Sequence, residues 1–122
     1  MHRARFRRVV EAAVAAIPPE FAEQLDNVEI LVRMRPTAEE RAEAGIGPRD
    51  QLLGLYVGHP LTDRGSYYGN TLPDRIMIYQ EAIESICRSD EELLAQVRRT
   101  VLHEIAHHFG IDDERLHEIG AY

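Results

Sequence analysis

Lysine is absent from the sequence, and all 14 of its basic residues are arginine. The chain therefore has no lysine for a Schiff base, for a P-loop or for a kinase-type phosphate site. The single cysteine, Cys87, cannot form an internal disulfide or a Cys-x-x-Cys site, which favours a reducing, cytoplasmic location. No apolar run approaches the roughly 20 residues that cross a bilayer, so we expect no membrane partner.

Length and charge indicate one ordinary folded domain. The 122 residues, of which 44% are hydrophobic, suit a single domain over residues 1–122. A net charge of -7 counts against non-specific binding of nucleic acid, and we expect no such partner. Four arginines near the N-terminus are interpreted as a solvated helix face, with nucleic-acid contact as a weaker alternative: Arg3, Arg5, Arg7 and Arg8.

The basic and then apolar start of the chain predicts an amphipathic helix rather than a signal peptide. Glu11 interrupts the apolar stretch, and Pro18 and Pro19 follow it without a small-residue cleavage site. Apolar residues recur at helical spacing over residues 3–17, and the two prolines end the pattern.

The rest of the chain predicts a small α+β domain. Apolar, β-branched segments predict three strands, over residues 28–34, 52–58 and 75–79. Helices are predicted over residues 81–87, from about 90 to 109, and from about 113 to 118. The connecting segments carry a helical turn capped by Thr37 and a long polar loop over residues 59–73.

The long helix carries the motif that points to chemistry, HExxHxxGxxD over residues 103–113. Ser89 and Glu92 predict a capping box at its start. His103 and His107 stand one turn apart on one face, which Gln96 and Thr100 continue. Two imidazoles held in this way suit one zinc ion, and Glu104 is placed to take a proton from a metal-bound water. The opposite face is predicted to meet the core through Leu94, Val97, Val101, Leu102, Ile105 and Phe109.

A third protein ligand is expected, because catalytic zinc usually has three and keeps one open position. Gly110 lets the chain turn sharply, so that Asp113 can return to the metal. Glu118 and Cys87 are alternatives, although we interpret Cys87 as a buried apolar group. Asp112 is interpreted as an N-cap and His108 as a packed structural histidine.

At these residues the chain resembles a zincin metallopeptidase, and more closely the small bacterial zincin-like metallopeptidases, or mini-zincins. The motif at residues 103–113 carries the resemblance; residues 55–60, 75–80 and 114–120 support it, and it extends from about residue 25 onward. It implies Zn²⁺ as cofactor, His103, His107 and Asp113 as its ligands, and Glu104 as general base.

The resemblance also implies an architecture, a minimal zincin-like fold. In it a small mixed three-stranded sheet packs on the active-site helix, with an N-terminal helix and a short C-terminal helix beside it. The strand over residues 52–58 would be an antiparallel edge strand, with the other two strands as its partners. A peptide substrate would bind by strand addition along Gly54, Leu55, Tyr56, Val57 and Gly58.

The function expected from the sequence is a zinc-dependent metallopeptidase acting on a peptide or protein. No metzincin methionine turn is expected, because Met1, Met34 and Met77 all precede His103. Only nine residues follow Asp113, so no C-terminal subdomain is expected to form the lower wall of a cleft. These departures favour the alternative, a zinc-binding regulatory or peptide-binding module with little or no hydrolysis. The sequence leaves open the oligomeric state and the group that stabilises the oxyanion, for which the candidates are His59, Tyr67, Tyr68, His117 and Tyr122.

Overall fold

The computed structural model describes residues 2–47, 49–58 and 73–118, without the side chain of Asp113. In chain order the elements are α1 (Arg3–Ala15), α2 (Pro19–Ala22), a 3-10 turn (Glu23–Leu25), β1 (Val28–Arg33), α3 (Ala38–Ala44), β2 (Gly54–Val57), β3 (Asp74–Tyr79), α4 (Gln80–Ile86), α5 (Asp90–Phe109) and α6 (Asp113–Glu118). The predicted α+β class is confirmed. Of the predicted loop over residues 59–73, all but Pro73 lies outside the described residues.

The three strands form one mixed sheet in the order β1-β3-β2. β1 runs parallel to β3, with Val28 opposite Asp74, and β2 runs antiparallel to it, with Gly54 opposite Ile78. The prediction of an antiparallel edge strand is thus confirmed for β2, although it is shorter than residues 52–58. β1 is not its neighbour, because β3 lies between them. The central position also explains why four consecutive residues of β3, 76 to 79, are buried.

Helices α1 and α5 pack against each other and contribute to the main core. From α1, Phe6 and Ala13 are fully buried, as the helical spacing predicted. From α5, Val97, Val101 and Ile105 are fully buried at four-residue spacing. Because its apolar face is fixed in this core, α5 is a rigid support for the polar face that carries the histidines.

The helix ends follow local side-chain chemistry. α1 stops at Ala15, before the proline pair. Thr37 caps a helix of seven residues rather than a single turn, since its hydroxyl accepts from the Glu40 amide and the Glu40 carboxylate accepts from the Thr37 amide. Gly45 ends this helix at a φ of 70°, a conformation that favours glycine.

Two expectations for α5 were wrong in detail. The Ser89 hydroxyl accepts from the Glu92 amide at 3.1 Å, but the Glu92 carboxylate accepts from the Arg88 amide rather than from that of Ser89, so only half of the capping box forms. Phe109 is 44% exposed rather than part of the core, since the helix ends there.

The remaining features of α5 agree with the sequence, apart from the depth of Leu94. Leu94 is only partly buried, and its neighbour Leu93 takes the buried place. Gly110 follows the helix at a φ of 72°.

Over the described part of the chain, no helix combines the length and apolarity that crossing a membrane requires.

Candidate metal centre and its cleft

The C-terminal half of α5 brings His103 and His107 together on one face. Their ring centroids lie 6.3 Å apart, and the ring planes cross at 76°. The His107 side chain is 74% exposed, whereas the His103 residue is half-buried. Gly110 in its left-handed conformation lets the chain leave the helix one turn after His107, so the pair stands near the end of a rigid element.

The Glu104 carboxylate lies between this pair and the sheet. Its Oε1 accepts a hydrogen bond from the backbone amide of Tyr56 at 2.9 Å, and its Oε2 lies 4.0 Å from Nδ1 of His107. Burial raises the pKa of Glu104, while the Tyr56 amide and the two histidines act in the opposite direction. The result is a partly desolvated carboxylate with one oxygen fixed and the other directed towards an imidazole.

An open cleft of about 300 Å³ separates the polar face of α5 from the chain that enters β2. Its lining comprises both histidines and Glu104, together with Leu52, Leu53, Gly54, Gln96, Arg99 and Thr100. The predicted stripe of Gln96, Thr100, His103 and His107 is therefore confirmed as one surface. It is large enough for a few atoms of a ligand to meet the imidazoles and the carboxylate together.

The outer edge of β2 borders this cleft. The Tyr79 amide donates to the Leu53 carbonyl at 3.0 Å, which makes these two residues a hydrogen-bonded antiparallel pair. Such pairs alternate along the ladder, so Gly54 and Tyr56 direct their backbone groups away from β3. The Tyr56 amide meets Glu104 there. An extended peptide at this edge would therefore find the backbone groups of Gly54 and the carbonyl of Tyr56.

Gly54 is required for the close approach of β2 to α5. A Cβ at this position would lie 2.7 Å from Cγ2 of Thr100 and 3.0 Å from the backbone oxygen of Met77. The nearest neighbour of Gly54 is thus the Thr100 side chain. The narrow spacing is what brings the strand amide within reach of the Glu104 carboxylate.

The Tyr56 side chain anchors the strand near the C-terminal end of α5. Its ring stacks on His108 at a centroid distance of 3.9 Å, with the planes only 13° apart. Its hydroxyl donates to Oδ2 of Asp74, a residue that is only 8% exposed, at 2.7 Å. The interpretation of His108 as a packed histidine is thus supported, and the ring holds the strand against the helix.

Comparison with known proteins identifies the family of this chain. The model of the zincin-like metallopeptidases matches residues 25–121, which is most of the chain. The chain belongs to this family. A solved structure of a conserved hypothetical protein from Thermus thermophilus has the same fold, with 24% identity, 89% of this chain and 94% of that one covered, and a TM-score of 0.57. No curated protein matches the chain.

The described residues of this zincin-like protein fit the zinc ion that the family implies. Two imidazoles one turn apart line one cleft, and imidazole nitrogen is a preferred zinc ligand. Among the side chains that the structure describes, no group of three or more His, Cys, Asp or Glu residues is placed to hold a metal. The described part of the site therefore offers two imidazoles, His103 and His107, where catalytic zinc usually has three protein ligands.

Asp113 stays the predicted third ligand. It is the first residue of α6, just beyond the turn at Gly110, but its side chain lies outside the described part of the structure. The neighbouring Asp112 is the N-cap, as predicted, since its Oδ1 accepts from the Arg115 amide at 2.9 Å.

The two alternative ligands have other contacts. Oε2 of Glu118 accepts from Arg115 at 2.7 Å, and the same guanidinium binds both carboxylate oxygens of Glu20. Arg115 thus ties α6 to α2. Cys87 is half-buried against the core, and burial raises the pKa of its thiol, in agreement with its interpretation as an apolar group.

Most candidates for the oxyanion donor are outside the described residues. His59, Tyr67, Tyr68 and Tyr122 belong to that part of the chain. His117 is described and exposed, at the end of α6. The choice among these five residues stays open.

Sequence reasoning missed the contacts that join α5 to the strands. The Tyr56 amide and Glu104 are 48 positions apart, and no residue type marks a backbone donor at a strand edge. Asp74 was not considered, although an acidic residue at the head of an apolar strand is a signal for a paired carboxylate. Arg99 was also overlooked, although it stands four residues before His103 on the same face.

Proposed function

We propose that this zincin-like protein is a zinc-dependent peptidase in which Glu104 is the general base. The observation that carries this proposal is the position of Glu104, whose carboxylate is shared between the edge strand and His107 inside the cleft. A general base must lie within reach of the proton it removes, and the carboxylate lies beside the imidazoles that would hold the metal.

The residues proposed to hold zinc are His103, His107 and Asp113. The bound ion would lower the pKa of a coordinated water towards neutrality and polarise a peptide carbonyl. Oε1 of Glu104 is engaged by Tyr56, so Oε2 is the oxygen that takes the proton from the attacking water. The same carboxyl group then delivers the proton to the leaving amine, as a positioned acid–base group does.

The proposed substrate is a peptide segment added to the outer edge of β2. The outward backbone groups of Gly54 and the Tyr56 carbonyl are available for pairing there, while Leu55 and Val57 pair with β3. Residues from Gly54 to Gly58 would then align the scissile bond along the face that carries the histidines.

The substitution Glu104→Gln tests the proposal. Glutamine keeps a carbonyl oxygen for the Tyr56 amide but cannot accept a proton, so we expect retained zinc and a loss of cleavage by roughly 10²–10⁴-fold. The readouts are elemental mass spectrometry and digestion of a peptide library by zinc-supplied protein. Glu91→Gln, at an exposed carboxylate in the first turn of α5, is the matched control. Cleavage at the parent rate by Glu104→Gln would falsify the mechanism.

A zinc-dependent peptide-binding module is the second candidate. The engagement of Glu104 by the Tyr56 amide favours it, because that bond gives the carboxylate a structural use independent of hydrolysis. In this case the parent protein binds zinc and peptides, and the library remains uncut with or without Glu104. The same digestion therefore separates the two functions.

A further inference from the structure

We propose that Arg99 binds a carboxylate group of the substrate, so that the cleft selects acidic peptides or peptide C-termini. The inference rests on the proposed function for the presence of a peptide in the cleft. It adds the chemical class of the peptide and names the residue that recognises it.

Arg99 lies beside the metal-binding pair. It stands four residues before His103, on the same face of α5, and both line the cleft. Four residues of helix rise correspond to about 6 Å. A peptide whose carbonyl reaches the imidazoles would thus present a group one or two residues away to the guanidinium.

Hydrogen bonds hold the Arg99 side chain in this position. Its Nη1 donates to Oε1 of Gln96 at 2.9 Å. The Gln96 amide nitrogen lies 3.2 Å from the hydroxyl oxygen of Thr100, which donates to the Gln96 backbone oxygen at 2.8 Å. The guanidinium is therefore oriented by a neutral partner, which fixes its position without cancelling its charge.

The charge of Arg99 has no carboxylate partner among the described residues. Other arginines form ion pairs: Arg5 with Asp90, Arg35 with Glu81, and Arg115 with Glu20 and Glu118. Glu92 lies near Arg99, lining a neighbouring pocket with it, but its carboxylate accepts from the Arg88 amide at 2.6 Å. The guanidinium of this half-buried residue is oriented, and its planar fork matches the geometry of a carboxylate.

Two parts of a peptide carry this chemistry, an acidic side chain and the C-terminal carboxylate. The probes are fluorescent short peptides with Glu or Gln at each position in turn, each made with a free and with an amidated C-terminus. Binding is measured by fluorescence anisotropy on Glu104→Gln protein supplied with zinc, which prevents cleavage from obscuring affinity.

We expect the protein to prefer peptides with one particular carboxylate. Arg99→Gln should remove this preference, because it weakens binding of that peptide roughly two- to fivefold and leaves binding of its neutral counterpart unchanged. The preference should also shrink as salt is added, because Arg99 as a residue is only half-buried. Arg98→Gln is the matched control. It removes the same charge from the preceding residue, which is not among those that line the cleft. Arg99→Lys keeps the charge without the fork and should retain part of the preference.

The outcomes separate the two sources and the two proposals. A preference that survives amidation assigns an acidic side chain, and one that amidation removes assigns the C-terminus. Equal binding of acidic and neutral peptides, or a preference unchanged in Arg99→Gln, overturns the role of Arg99. Digestion by the parent protein decides hydrolysis independently, so an uncut library with Arg99-dependent binding would refute only the peptidase.

Discussion

The backbone amide of Tyr56 donates a hydrogen bond to the Glu104 carboxylate at 2.9 Å across 48 positions of sequence. Tyr56 belongs to the edge strand and Glu104 to the helix that carries the histidines. This contact therefore joins the two walls of the cleft and orients the proposed general base. It also leaves Oε2 of Glu104 as the oxygen that faces His107.

The first prediction separates the two uses of Glu104. In the metal-free protein, Glu104→Gln should be at least as stable as the parent, because glutamine keeps the acceptor for Tyr56 and removes a charge that burial disfavours. Glu104→Ala should be less stable than Glu104→Gln by about 1–3 kcal/mol, since the amide loses its partner. Urea unfolding of the three proteins measures these differences in the free energy of unfolding. Equal stability of the Ala and Gln variants would show that the hydrogen bond from Tyr56 contributes little to the stability of the fold.

The second prediction concerns the contact between β2 and α5. Gly54→Ala should destabilise the protein by about 1–3 kcal/mol, because its Cβ would lie 2.7 Å from Thr100 Cγ2. Adding Thr100→Ser removes that methyl group and keeps the hydroxyl, so the double variant should recover part of the loss in thermal denaturation. Gly47→Ala, whose Cβ would be in ordinary contact at 3.4 Å, is the control. Strictly additive effects of the two substitutions would contradict this contact.

The elements of the fold could be predicted from the sequence because their signals are local. The proline pair limits α1, and Gly110 ends α5 in a left-handed conformation. Periodicity alone, however, placed Phe109 in the core. It could not show that Phe109, the last residue of the helix, is left 44% exposed, because exposure depends on the tertiary arrangement.

The site was predictable only where one helix carries it. The spacing of His103 and His107 determines that they share a face, and the structure places both at one cleft. The contacts of Glu104 with Tyr56 and of Tyr56 with Asp74 depend on strand order and register, which sequence patterns do not specify. For the same reason the ion pair of Arg115 with Glu20, between two short helices, could not be foreseen.

The third prediction follows from that ion pair. The hydrogen bond from Arg115 holds the pKa of Glu20 below its ordinary value of 4.5. The pair therefore stabilises the fold above that pH, and its contribution is lost as the pH falls through the lowered pKa. In Arg115→Gln the pKa of Glu20 should rise towards the ordinary value, as followed by NMR titration of the carboxyl carbon. Glu118→Gln should leave it low, and an unchanged Glu20 pKa in Arg115→Gln would rule out the pairing in solution.

The fourth prediction concerns the zinc ligands. Untagged protein purified without chelator should contain about one zinc per chain by elemental mass spectrometry, and His103→Ala, His107→Ala and Asp113→Ala should each lose it. Glu118→Gln is the matched control, because it alters the carboxylate that Arg115 already engages. Zinc retained in Asp113→Ala but lost in Glu118→Gln would transfer the third ligand to Glu118. A parent protein that stays metal-free when zinc is offered would instead show that the motif no longer binds zinc. The helix itself would remain folded in that case, because Val97, Val101 and Ile105 hold it in the core without any metal.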